Sequence, residues 1–108
     1  MSITLGNVFA ILEFTFGTDK TWDAVSANTA AEQTVNAKGV KTGDFYIVTK
    51  PTHQAGLGYV ATARCAADNV LTIKFENPTA GGITPTAEEE WKGILIRAEI
   101  PKPSNAVV

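Results

Sequence analysis

Apolar and polar residues alternate with a period of two through most of this chain, and Gly, Pro, Asn and Asp interrupt the pattern at short intervals. Successive strand side chains point to opposite faces, so such a pattern marks strands with one dry face, and no 3.6-residue stripe competes with it. It predicts strands over 10–16, 31–38, 44–50, 59–65, 70–76 and 91–100. In the first, Leu12, Phe14 and Phe16 share a face opposite Glu13 and Thr15; in the fifth, Leu71, Ile73 and Phe75 point inward and Thr72, Lys74 and Glu76 outward. The 31–38 segment is weaker and belongs near a sheet edge.

Segment 44–50 carries β-branched and aromatic residues on both faces, Phe45, Ile47 and Thr49 against Tyr46, Val48 and Lys50, as expected of a central strand. Gly43-Asp44 supplies the turn before it. The Asp68-Asn69 pair tolerates the positive φ of a tight hairpin and joins 59–65 to 70–76. In the last strand, Ile94, Ile96, Ala98 and Ile100 oppose Leu95, Arg97 and Glu99, and Trp91 is its first buried ring. Pro101 and Pro103 cannot continue a ladder, so 101–108 leaves as an extended tail that reaches roughly 25 Å. Six to eight short strands in one domain, 1–100, read as an all-β, antiparallel two-layer sandwich of jelly-roll or immunoglobulin-like type, with extended terminal arms.

The 108 residues suffice for one core without metal or disulfide, since folding a chain of this length buries roughly two thirds of its unfolded surface. Nine Lys+Arg against eleven Asp+Glu, with no long block of either sign, disfavour a nucleic-acid partner. The apolar opening 1–17 lacks a basic leader, contains Glu13 and is too short to span a bilayer, so it reads as strand and no membrane partner is expected. Cys65 stands alone, which excludes an intrachain disulfide and suits a reducing compartment or a particle assembled in one.

Residues capable of chemistry are few. His53 is the sole imidazole and sits in a loop, where a polar surface role outweighs a catalytic one. Ala55-Gly56-Leu57-Gly58 precedes a strand, whereas a phosphate loop opens a helix; its glycines are read as backbone relief. Glu88 and Glu90, two apart on a strand, would lie about 7 Å from each other, near the separation in inverting glycosidases, but both would point the same way. A solvated acidic turn is the preferred reading. No metal site, cofactor or catalytic residue is assigned, and Cys65 reads as a buried small hydrophobe.

Over 27–97 the chain resembles a group of small bacteriophage and prophage structural proteins. The likeness is carried by Ala27-Asn28-Thr29, Glu32-Gln33-Thr34, Thr42-Gly43-Asp44, Lys50-Pro51-Thr52, Ala55-Gly56-Leu57-Gly58, Ala61-Thr62-Ala63-Arg64, Leu71-Thr72-Ile73, Phe75 with Asn77, Thr79-Ala80 and Ile83-Thr84-Pro85-Thr86. The first 26 residues and the Pro-rich tail depart from the shared pattern. The resemblance implies a non-enzymatic capsid decoration or cement protein, made in the host bacterial cytoplasm and placed on the outer surface of the virion head. Its partner would be the major capsid protein, and it would act as a homo-oligomer, with a trimer preferred to a dimer.

Expected contact residues are Pro51, Thr52, His53, Gln54 and Leu57 in one loop, Pro78, Thr79, Ile83 and Pro85 in another, and Pro101, Lys102 and Pro103 in the tail, with the N-terminal segment as a further arm. Two rival readings remain. One is a tail-associated or surface module in which Trp22 or Trp91 stacks on sugar rings, and it needs an exposed aromatic platform. The other is hydrolysis at Glu88 and Glu90.

Overall fold

The computed structural model describes residues 9–98. They form seven strands: β1 (Phe9–Phe16), β2 (Thr29–Asn36), β3 (Phe45–Thr49), β4 (Gly58–Tyr59), β5 (Thr62–Ala67), β6 (Val70–Asn77) and β7 (Trp91–Ala98). All pairings are antiparallel, in the order β1-β7-β3-β5-β6-β2, with β4 also on β6. The all-β antiparallel expectation holds. The expected division into two sheets does not appear, because the strands form one open, continuously bonded sheet. β5 makes the join: Ala63 and Thr62 pair with Tyr46 and Ile47 on β3, while Arg64 and Ala67 pair with Thr72 and Val70 on β6, across a shift in register.

That sheet is strongly curled. In a flat sheet β6 and β7 would lie roughly 14 Å apart, three strand spacings. Yet the rings of Phe75 on β6 and Trp91 on β7 meet edge to face with centroids 6.0 Å apart. The two halves therefore close on a common core of Tyr46, Val48, Trp91 and Leu95 from one side and Val35, Leu71, Ile73 and Phe75 from the other. Trp22, from the long β1–β2 connection, wedges between Phe75 and Trp91 at 5.0 and 5.7 Å. Burying aromatic rings in such offset and edge-on contacts adds to the area term that drives closure.

The β5–β6 hairpin turns at Asp68-Asn69 as expected, with Asn69 at φ 67°. Its tip also anchors the β2–β3 connection. Gly39 N–H donates to Asn69 Oδ1, Thr42 N–H to Asp68 Oδ1, and the Asn69 and Val40 backbones are bonded directly. The 59–65 strand is broken at Val60 and Ala61 into β4 and β5, and β2 begins two residues earlier than expected and lies at the end of the strand order. Glu99 and Ile100, expected to end the last strand, and the tail 101–108 lie outside the described residues.

Two face assignments need revision. Segment 44–50 is not buried on both sides: Tyr46 and Val48 are in the core, but Phe45 is 67% exposed and Ile47 is also open. Thr72 was expected outside, yet it is buried, because Arg64 and Glu32 on the strands flanking β6 join in a two-pronged pair (2.7 and 2.9 Å) across it.

Candidate functional site

The two loops singled out from the sequence meet. Gln54 places its side-chain amide against the 84–86 backbone as a neighbouring strand would: Nε2 donates to Thr84 O and Oε1 accepts from Thr86 N–H, both at 2.9 Å. Gly56, at φ +81°, allows close approach at the same junction. A Cβ there would stand 2.6 Å from Thr79 Cγ2 and 3.1 Å from Ile83 Cδ1. No L side chain fits that space without displacement.

Each loop is fastened internally as well. Buried Asn77 donates through Nδ2 to Val25 O and Gly81 O and accepts at Oδ1 from the Thr79 N–H and hydroxyl, which uses its full hydrogen-bonding capacity. Ile83 and Val25 exchange backbone bonds of 2.8 and 3.0 Å. At the root of the first loop, Lys50 Nζ bonds Glu89 Oε1 at 2.9 Å and the Thr52 carbonyl at 2.9 Å, while the Thr52 hydroxyl donates to Glu89 Oε2. Burial alone pushes the Glu89 carboxyl up, but the bonds from Thr52 and Lys50, together with the lysine charge, outweigh it and hold Glu89 below the usual carboxylate range.

These ties divide the expected contact residues. Pro51, Thr52, His53 and Pro78 are exposed, although the Thr52 hydroxyl is engaged with Glu89. Gln54, Leu57, Thr79 and Ile83 are half-buried: Gln54, Thr79 and Ile83 hold the loops together, and Leu57 packs on the core. Pro85 is fully buried and presents nothing to a partner. Beside Pro78, an open groove runs between Asn28, Thr29 and Ala30 on one side and Gly56, Leu57 and Gly58 on the other. Pro101, Lys102 and Pro103 lie outside the described residues.

The loop cluster and the outermost described pair, Phe9 and Ala98, lie at opposite ends of one strand pair. Phe16 pairs with Trp91 beside the loops, whereas Phe9 pairs with Ala98 at the far end, from which the segments 1–8 and 99–108 continue. Seven residue steps separate the two ends, roughly 24 Å along the strands.

The rival sites are less favourably placed. Trp22 and Trp91 are 2% and 0% exposed, so neither offers a stacking platform for a sugar ring. Glu88 lies in a turn at φ 59° and Glu90 in the irregular stretch that precedes β7, so neither is on a strand as their 7 Å spacing assumed. Cys65 is half-buried against the core, with Sγ 2.9 Å from Ala67 O. Among the described residues no group of three or more His, Cys, Asp or Glu could hold a metal ion. No helix among them is long and apolar enough to cross a membrane.

Sequence reasoning missed a different surface. Phe45, Ile47, Ile94 and Ile11 lie exposed on the outer face of β1, β7 and β3. The signal was the two-sided apolar pattern of 44–50, which suits a strand with core on one side and an open apolar face on the other as well as a central strand. Searches of family models, curated proteins and solved structures found no match to this chain.

Proposed function

We propose that this chain is a bacteriophage capsid decoration, or cement, protein that binds the major capsid protein lattice on the outside of the head and stabilises it. The reading requires no catalytic group, cofactor, metal, nucleic acid or membrane. The observation that supports it best is the polarity of the described residues: a tied loop cluster presenting Pro51, His53 and Pro78 at one end, and Phe9 paired with Ala98, from which the two terminal segments continue, at the other. A module of this shape can touch one capsid subunit through its loops and a neighbour through its terminal segments. Repetition over a lattice then raises the effective concentration of each contact. Loops held by Gln54, Asn77 and Glu89 enter such a contact with little ordering cost.

The test is co-sedimentation of the full chain with empty heads built from the major capsid protein of the same phage, followed by a particle map with and without the chain. Saturable binding and added density on the outer surface are expected, and deletion of 101–108 is expected to weaken binding while leaving the melting temperature nearly unchanged. Absence from heads at saturating concentration would refute the reading. Oligosaccharide binding lost on Trp22→Ala, or substrate turnover lost on Glu88→Gln or Glu90→Gln, would replace it with one of its rivals.

A further inference from the structure

The described residues expose six large apolar side chains, Phe9, Ile11, Leu12, Phe45, Ile47 and Ile94, and all six lie on the neighbouring strands β1, β7 and β3. Leu12 pairs with Leu95 and lies on the core side of the sheet, while register makes the other five contiguous on the outer face. Ile11, Ile96 and Phe45 form one cross-strand row, and Glu13, Ile94 and Ile47 form the next. Directly opposed side chains share a face with Cβ atoms about 5 Å apart, so the two rows make a single apolar plate. Thr15, Lys92 and Thr49 form the row beyond, giving the plate a polar margin that carries a base, with the acid Glu13 one row away. Neither charge is in an ion pair among the described residues.

Half-exposed side chains of this size present roughly 100 Å² each, so the plate amounts to about 500 Å², near the upper limit for a monomer's largest patch. With its margin it approaches the ~800 Å² that each partner contributes to a stable dimer.

We infer that the outer face of β1, β7 and β3 is an interface at which two copies of this chain pair about a two-fold axis. Symmetry decides the number of copies. A ring of three needs two different surfaces that complement each other, whereas a two-fold pair needs one surface that complements itself. The described residues offer one apolar plate with no second to match it, and the plate has both charge signs at its margin. This favours a dimer over the trimer preferred from the sequence. The plate is separate from the loop cluster, so the inference is decided in solution without any particle.

Sedimentation equilibrium of the full chain at micromolar concentrations provides the test, with Phe45→Glu and Ile47→Glu as variants. Both side chains point away from the core, so a folded monomer is expected in each case, with association weakened about tenfold or more. Ile47→Thr keeps the β-branched shape and tests the same face should a glutamate impair folding. A trimer mass, a wild-type chain that stays monomeric, or a dimer that none of the three substitutions weakens overturns the inference. So does Ile47→Thr weakening attachment to heads with no change in solution mass, which would assign the plate to the capsid.

Discussion

Lys50 and Glu89, 39 residues apart in sequence, meet at 2.9 Å with side chains only 5% and 8% exposed, and their contact closes the root of the loop cluster against the start of β7. Removing one member of a buried pair leaves the other charge without compensation. Lys50→Met is therefore expected to cost about 3 kcal/mol in urea unfolding, and Glu89→Gln less, because glutamine still accepts from the Thr52 hydroxyl. The pair also sets an acid limit. The folded Glu89 carboxyl titrates below its unfolded value, so its stabilisation is complete above the unfolded value near pH ~4.3 and is lost as pH falls through the folded one. In Glu89→Gln, melting temperatures followed from pH 6 to pH 2 should fall less steeply than in the wild type.

Tyr46 sets the corresponding limit at high pH. Its hydroxyl donates to Lys41 O at 2.7 Å, accepts from Lys41 N–H at 2.8 Å and lies 3.1 Å from Asp44 Oδ2. Burial, with the Asp44 carboxylate adding to it and the Lys41 bond opposing it, pushes the phenol up to about 12. The unfolded phenol ionises near pH ~10, so the protonated ring contributes stability that is fully present below that pH and lost as pH rises through about 12. Ultraviolet titration should show one tyrosine ionising together with alkaline unfolding. Tyr46→Phe should remove that coupling and cost about 1–2 kcal/mol at neutral pH.

Gly93 and Phe14 are coupled by volume. A Cβ on Gly93 would lie 2.5 Å from Phe14 Cζ and 2.7 Å from Cε1, since the ring covers the glycine across the β1–β7 pair. Gly93→Ala is expected to destabilise by about 1–3 kcal/mol through overpacking. In the Phe14→Leu background the same change should cost less, giving a coupling of at least ~0.5 kcal/mol in a double-mutant cycle from denaturant unfolding. Additive losses would show that the ring moves aside freely.

Gln54 is expected to act locally. Gln54→Ala removes both bonds to the 84–86 backbone, so the Thr86 amide should lose hydrogen-exchange protection while amides of β6 keep theirs. Global stability should fall by about 1 kcal/mol. Loss of protection throughout the sheet would mean that the loops are part of the cooperative core.

Much of the strand content could be read from local pattern. Leu71, Ile73 and Phe75 point inward because alternation leaves one dry face, and Asp68-Asn69 makes the hairpin because Asn69 accepts positive φ. The sequence marks the 52–58 and 77–86 loops as contact regions, but the roles of their residues are not separable in it. Gln54 and Pro85 carry no sequence mark distinguishing an internal tie or a buried ring from a surface group.

By itself, the sequence determined that the chain would form short antiparallel strands, where the tightest turn would fall, and that Trp91 would be buried. The tertiary structure decided which face of 44–50 and of β7 meets the core. Trp91 and the Phe14 ring seated over Gly93 put Leu95 inside and Ile94 outside, and pairing with β7 then leaves Phe45 and Ile47 on that outer face. A period of two records that faces differ but not what covers each one. The second surface is supplied by strands distant in sequence, through the curl of the whole sheet.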